Sequence, residues 1–263
     1  MKFTTTIAAL VAATFATSAV AQDSVRMGSE GYYPPFNFFG ADGQVQGFDI
    51  DVGNALCAEM NVTCEWVTTD WDGIIPALNA NKFDTIIASM SITAERAEVV
   101  SFTNPYYFNA ARLIAAEDSG IAGGLPADLA GKVIGTQEST LEVDVLQQYF
   151  PDSEIRLYPK LDDALLDLES GRVDAAYASQ FVLGAWLASD EGAGFHFVGE
   201  ASRSDGNMGT GIAVRQADND LRESLNTALA AIIANGTYDA IRANYFDFDV
   251  MTTPKTATEL FGN

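Results

Sequence analysis

The sequence predicts an α/β protein of two lobes facing each other across a cleft. Three observations carry that prediction. Short apolar runs alternate with amphipathic stretches, the pattern of strands covered by helices. The alternation starts afresh after about residue 110, and no repeat, low-complexity block or long linker divides the 263 residues into unrelated pieces.

The chain opens with Lys2, an apolar or small-residue stretch over 7–20, and Ala19-Val20-Ala21 before Gln22. This is the pattern of a removable export signal over residues 1–21 with an A-x-A cleavage site. Thr14, Thr17 and Ser18 set it apart from a membrane helix, which needs about 20 strongly apolar residues. The mature chain is expected to begin near Gln22 and to be exported.

A strand over 24–27 runs into a turn at Tyr33-Pro34-Pro35. Asp49 is placed to cap a helix ending at Met60, with Ile50, Val52, Leu56 and Met60 along one side. A strand over 64–67, a short helix over 74–79 and a strand over 84–88 make two βαβ-like crossings, so parallel strands are expected. Past residue 110 the pattern gives a strand over 132–135, a helix over 141–149, a strand over 155–158, a helix over 161–169 closed by Gly171, and a strand over 173–177. A strand over 211–214 precedes a helix over 218–234, which carries Leu221, Leu225, Leu229 and Ile233 at steps of four and ends at Gly236. Ligands of open parallel sheets sit beyond the carboxyl ends of the strands, so loops of both units can line one cleft.

Acidic residues outnumber basic ones, 36 to 14, for a formal charge of −22 and a pI of about 4.1. Such a chain is repelled by phosphate backbones and anionic lipid, which argues against nucleic-acid or membrane-surface partners. Cys57 and Cys64 are the only cysteines. In an oxidising compartment a local disulfide is expected, because two cysteines and the distant His196 do not make a four-ligand metal site. His196 has no nucleophile motif beside it, and there is no P-loop, no G-x-G-x-x-G after a strand and no H-E-x-x-H. No catalytic residue, cofactor or metal is expected.

The binding candidates are better defined. Glu30 follows the first strand and precedes Tyr33, and Trp71 ends the third apolar segment. An acid between two aromatic faces suits an ammonium or guanidinium group, although Tyr33 and Trp71 also suit an ordinary core. Ser89-Met90-Ser91 leads into a helix capped by Thr93, with Arg96 in its first turn. A cation is unfavourable at the positive end of a helix unless an anion joins it, so Arg96 is a candidate clamp for a carboxylate, or else a surface ion pair. Thr140 opens the next helix, where free N–H groups can hold the same anion, or simply caps it.

Gly47-Phe48-Asp49-Ile50-Asp51, Trp71-Asp72-Gly73-Ile74-Ile75-Pro76, Ser91-Ile92-Thr93 with Arg96, and Phe102-Thr103-Asn104-Pro105-Tyr106 closely resemble the polar amino-acid binding proteins of bacterial ABC importers, in the lysine/arginine/ornithine, histidine and opine branch. The resemblance spans nearly all of the mature chain. It implies a type II periplasmic binding protein fold, two α/β lobes joined by two crossover segments, with 22–110 and 208–263 in lobe 1 and 111–207 in lobe 2. It further implies that Tyr33 and Trp71 sandwich the ligand side chain, Glu30 meets its distal cation, Ser89, Met90 and Ser91 lie along the amino-acid head, and Arg96 and Thr140 hold its carboxylate. The implied partners are a cationic amino acid or a guanidino or opine-like derivative and a permease in the inner membrane, with the receptor a monomer. One position departs from the pattern: Ser179 stands where basic amino-acid receptors place an aspartate for the α-ammonium. Opine receptors resemble this chain in that respect; the competing reading is that a rearranged neighbour such as Asp205 supplies the carboxylate. The alternative is an exported dehydratase of prephenate-like substrates on the same scaffold, which Ser179 disfavours.

Overall fold

A computed structural model describes residues 24–121 and 123–262; the export signal expected over 1–21 lies outside them. Two five-stranded sheets form the frame. The first has the order Thr63–Thr68, Ser24–Ser29, Thr85–Ile86, Ala213–Val214, Ser101–Phe102, and the second has the order Glu154–Tyr158, Val133–Gln137, Ala175–Ser179, Ala111–Ala116, Phe195–Ser202. The expectation of wholly parallel sheets needs correction. Ala213–Val214 runs antiparallel to both its neighbours in the first sheet, and Ala111–Ala116 does so in the second. Both strands follow a passage of the chain from one sheet to the other, and each enters its new sheet against the grain. The strand expected over 211–214 is confined to Ala213–Val214.

Most elements fall where their periodicity places them, and the departures have identifiable causes. Helix Phe48–Met60 is capped by Gly47 at φ 125°, not by Asp49. A Cβ at Gly47 would lie 2.3 Å from the Phe36 carbonyl oxygen, so the chain needs glycine there. Asp49 falls in the first turn with its side chain turned inward. In helix Asn219–Ala234 the buried face is Leu225, Ala228, Leu229 and Ile232, whereas Ile233 is exposed, because a strict four-residue step drifts off one side of a 3.6-residue helix. The last helix, Ala257–Phe261, departs from the expected lobe 1 placement of 208–263. Ala257 joins the core of the second sheet, and Phe261 packs on Tyr149 and Phe150 at 5.7 and 5.2 Å.

Where the chain passes between sheets its two crossings pair with each other through the antiparallel bridge of Tyr107 to Thr210. An aromatic cluster flanks that bridge. Phe36 stacks on Tyr107 at 5.0 Å, meets Phe181 of helix Gln180–Leu187 at 6.0 Å and Phe246 at 5.5 Å, so one continuous core joins elements of both sheets. Cys57 and Cys64 form the expected disulfide, tying helix Phe48–Met60 to strand Thr63–Thr68. Closing so short a loop stabilises the fold by about 2.5 kcal/mol in the chain-entropy account. Urea unfolding of the Cys57→Ser/Cys64→Ser double variant is expected to lose about that much stability with an unchanged denaturant slope; a midpoint equal to that of the parent would contradict it.

Candidate functional site

Between the sheets lies a narrow cavity of about 30 Å³ lined by Glu30, Tyr33, Trp71, Ala88, Ser89, Ser91, Arg96, Asn109, Gln137, Thr140, Leu141 and Glu142. Its walls come from the ends of strands. Ser24–Ser29 delivers Glu30 directly past its last residue, with only 4% of the residue exposed. Gly31, at φ 87°, turns the chain into a small antiparallel sheet that carries Tyr33 to the cavity. The N–H of Gly31 donates to Asn37 Oδ1 at 2.9 Å, which pins that turn. Ser89 and Ser91 follow strand Thr85–Ile86, and Ser89 adopts φ 55°, a left-handed conformation uncommon outside glycine.

Asp49 explains how that conformation is held. Its fully buried carboxylate accepts hydrogen bonds from Asn37 Nδ2 and Ser89 Oγ, both at 2.9 Å, and from the Tyr106 hydroxyl at 2.6 Å. One side chain therefore fixes the hairpin behind Glu30, the serine loop and the residue preceding the crossing. Burial pushes the Asp49 carboxyl up to about 6, and the bonds from Tyr106, Asn37 and Ser89 hold it from rising further.

Arg96 lies in the first turn of helix Ala94–Ala97, where Thr93 Oγ1 accepts from its backbone N–H at 3.1 Å, so Thr93 is the expected cap. Its guanidinium sits 5.4 Å from the Trp71 ring centre and donates to the Ser91 carbonyl at 2.9 Å. The same group reaches across the cleft to the Ser139 carbonyl at 3.2 Å, which also accepts from Trp71 Nε1 at 3.0 Å. Ser139, at φ 59°, is the second left-handed serine of the site. Burial lowers the Arg96 pKa, opposed by the fields of Glu142, Glu95 and Asp144.

The facing wall begins where strand Val133–Gln137 ends. Gln137 Nε2 donates to Glu30 Oε1 at 2.7 Å and to the Pro159 carbonyl at 3.2 Å, bridging the two sheets. Burial raises the Glu30 carboxyl to about 7 despite that bond, with Asp162 and Asp70 adding to the rise and Lys160 opposing it. The Thr140 hydroxyl donates back to the Gln137 carbonyl at 2.8 Å and makes no side-chain cap, so Thr140 leaves the first-turn N–H groups of helix Leu141–Tyr149 uncapped by its side chain.

The structure thus brings Glu30, Tyr33, Trp71, Ser89, Ser91, Arg96 and Thr140 around one cavity. Met90 is not among the lining residues. It lies between the two serines in sequence, but its side chain turns into the core with Ile74, Phe83 and Ile86. Ser179 is also set back: its hydroxyl donates to Asn109 Oδ1 at 2.8 Å and accepts from Phe181 N at 3.3 Å, so it meets the cavity through lining residues, Asn109 and Tyr33. Asp205, the competing source of a carboxylate, is bound to the Thr258 N–H at 3.0 Å and the Tyr149 hydroxyl at 2.8 Å and is not among the residues lining the cavity. Sequence reasoning missed Asn109, Gln137, Leu141 and Glu142. Gln137 was accessible to the strand-end rule; Glu142 reads in sequence as an ordinary acid in a helix's first turn.

Glu30 and Asp49 make a prediction about pH. Unfolded glutamate and aspartate titrate near 4.3 and 3.9, whereas here they titrate at about 7 and about 6. Between those values the folded chain holds protons that the unfolded chain has released, so both groups lower stability as pH rises through that window. The ligand-free protein is expected to melt at a higher temperature near pH 5 than near pH 8, and Glu30→Gln should shrink the difference. A melting temperature that climbs from pH 5 to 8, or a Glu30→Gln profile parallel to that of the parent, would contradict the assignment.

Comparison with known proteins identifies the architecture. Residues 25–248 match the model of bacterial extracellular solute-binding proteins, family 3. The chain is 42% identical over 236 residues to an L-arginine-binding protein of Pseudomonas aeruginosa, covering 88% of this chain and 90% of that one. It is 35% identical over 249 residues to a histidine-binding periplasmic protein of Salmonella typhimurium, covering 93% and 95%. An ancestral arginine-binding protein bound to arginine superposes with a TM-score of 0.79 at 33% identity, over 86% of this chain and 99% of that one. With its two sheets, its paired crossings and a polar cavity between them, this chain belongs to family 3 of the bacterial extracellular solute-binding proteins.

Proposed function

We propose that the protein is the periplasmic receptor of an ABC importer and that it binds a cationic amino acid, with L-arginine the best fit, in the cleft between its lobes. It then presents the ligand, as a monomer, to a permease in the inner membrane. Lobe 1 on this reading comprises the residues up to 110 and those from 208 to about 250; lobe 2 comprises 111–207 and takes the C-terminal helix as well. The observation that carries the reading is the placement of Glu30. Its buried carboxylate, met by the neutral amide of Gln137, lines the same cavity as Tyr33, Trp71 and Arg96, with the Arg96 guanidinium 5.4 Å from the Trp71 ring centre. A distal ammonium or guanidinium replaces the weak partner of Glu30 with a charged one, and the aromatic faces add cation–π attraction. Arg96 and the first-turn N–H groups of helix Leu141–Tyr149 suit an α-carboxylate. The names of the relatives, which refer to arginine and histidine, support the same ligand class.

Calorimetry against L-arginine, L-histidine, L-glutamine and L-glutamate tests the assignment. Arginine should bind tightest and glutamate should not bind. Arg96→Ala is expected to weaken arginine binding by about 2–5 kcal/mol, the scale for truncating one partner of a buried charge pair. Glu30→Gln should weaken it by about 1.5–3 kcal/mol while bringing glutamine closer to arginine. Tighter binding of glutamate than arginine, or parental affinity in either variant, would overturn the reading.

A further inference from the structure

The inference that follows rests on the reading above, in which a zwitterion with a distal cation occupies the cleft. Such a ligand carries two positive groups and one carboxylate. The cavity lining carries the complementary set, two acids and one guanidinium: Glu30, Glu142 and Arg96. With Glu30 on the distal cation and Arg96 on the carboxylate, the α-ammonium still needs an acceptor.

The residues near position 179 do not provide it. The Ser179 hydroxyl is spent on Asn109, and Asn109, accepting with Oδ1, has its amide N–H groups left to offer, which are donors like the ammonium itself. Asp205 is held by Thr258 and Tyr149. We infer that the Glu142 carboxylate receives the α-ammonium and sets the requirement for a free amine. Glu142 is half-buried two residues beyond Thr140, and it lines both the main cavity and a smaller adjoining one, with Asn109 and Leu141 common to the two. Its negative field reaches Tyr33 on the first lobe and Tyr177 on the second, helping to raise both hydroxyls. Arg96 feels it as well, yet the Arg96 Nη atoms donate to the carbonyls of Ser91 and Ser139. Glu142 is met by the Thr140 side chain and its own backbone N–H, and Arg96 by two carbonyls, so neutral groups meet both charges and a ligand ammonium and carboxylate, which leave the same carbon, bring the opposite charges. On this account Ser179 does not signal a preference for N-substituted amines, because the second acid enters from a helix instead of a strand end.

The test pairs a variant with a ligand analogue. Calorimetry compares L-arginine with 5-guanidinopentanoic acid, which lacks only the α-amine, on the parent chain and on Glu142→Gln. The parent should favour arginine by at least about 30-fold, and Glu142→Gln should reduce that preference to within about threefold, since an unpaired buried ammonium is strongly penalised. Glu142→Asp should keep most of the preference. If Glu142→Gln does not melt cooperatively, Glu142→Met makes the same comparison without a charge or an amide. A preference that survives loss of the acid, or equal weakening of both ligands, overturns the inference while leaving the receptor reading intact. A parent chain that binds neither ligand overturns the receptor reading and this inference with it.

Discussion

The architecture of the cleft depends on a buried carboxylate that touches no cation. Asp49 accepts from Asn37, Ser89 and Tyr106, three residues from three separate segments. A charged acid in the interior is costly unless its oxygens are fully hydrogen-bonded, and that cost makes the arrangement selective. Only a backbone that aims all three donors at one point satisfies it. The hairpin behind Glu30, the left-handed turn at Ser89 and the start of the first crossing are therefore set together, and the first-lobe wall inherits its shape from that agreement.

The second wall obeys a different constraint. Contacts across the cleft include Gln137 on Glu30, Trp71 and Arg96 on the Ser139 carbonyl, and the Lys160 ammonium over the Tyr32 ring at 3.6 Å. Several of these groups are ones that the proposed ligand would also engage or adjoin. The aromatic cluster around Phe36 and Tyr107 supplies the apolar continuity between lobes without filling the cavity. Polar contacts between the cleft walls and apolar ones beside the crossings are the arrangement expected of a hinged closure.

Much of this was legible in the sequence because the signals were local. Glu30 and Trp71 stand just past strand ends; Arg96 is a cation at the wrong end of a helix; and Thr93 occupies the cap that its residue type predicts. What escaped notice depended on distant partners. Asp49 looked like a cap, and only the glycine before its helix and three donors far along the chain turn it into a core acid. Met90 could not be told from its serine neighbours by type alone, since the direction of its side chain is a property of the folded turn. Glu142 gave no sequence signal beyond its first-turn position, because its meaning comes from the absence of an acid at position 179 and from the proximity of Arg96.

The charges of the cleft thus predict both the ligand and its direction. A crystal structure of the protein with L-arginine tests that claim most directly. The account predicts the guanidinium at Glu30 between Tyr33 and Trp71, with the carboxylate on Arg96 and the start of helix Leu141–Tyr149. A ligand bound in the reverse direction, or seated outside the cavity between the two sheets, would contradict it.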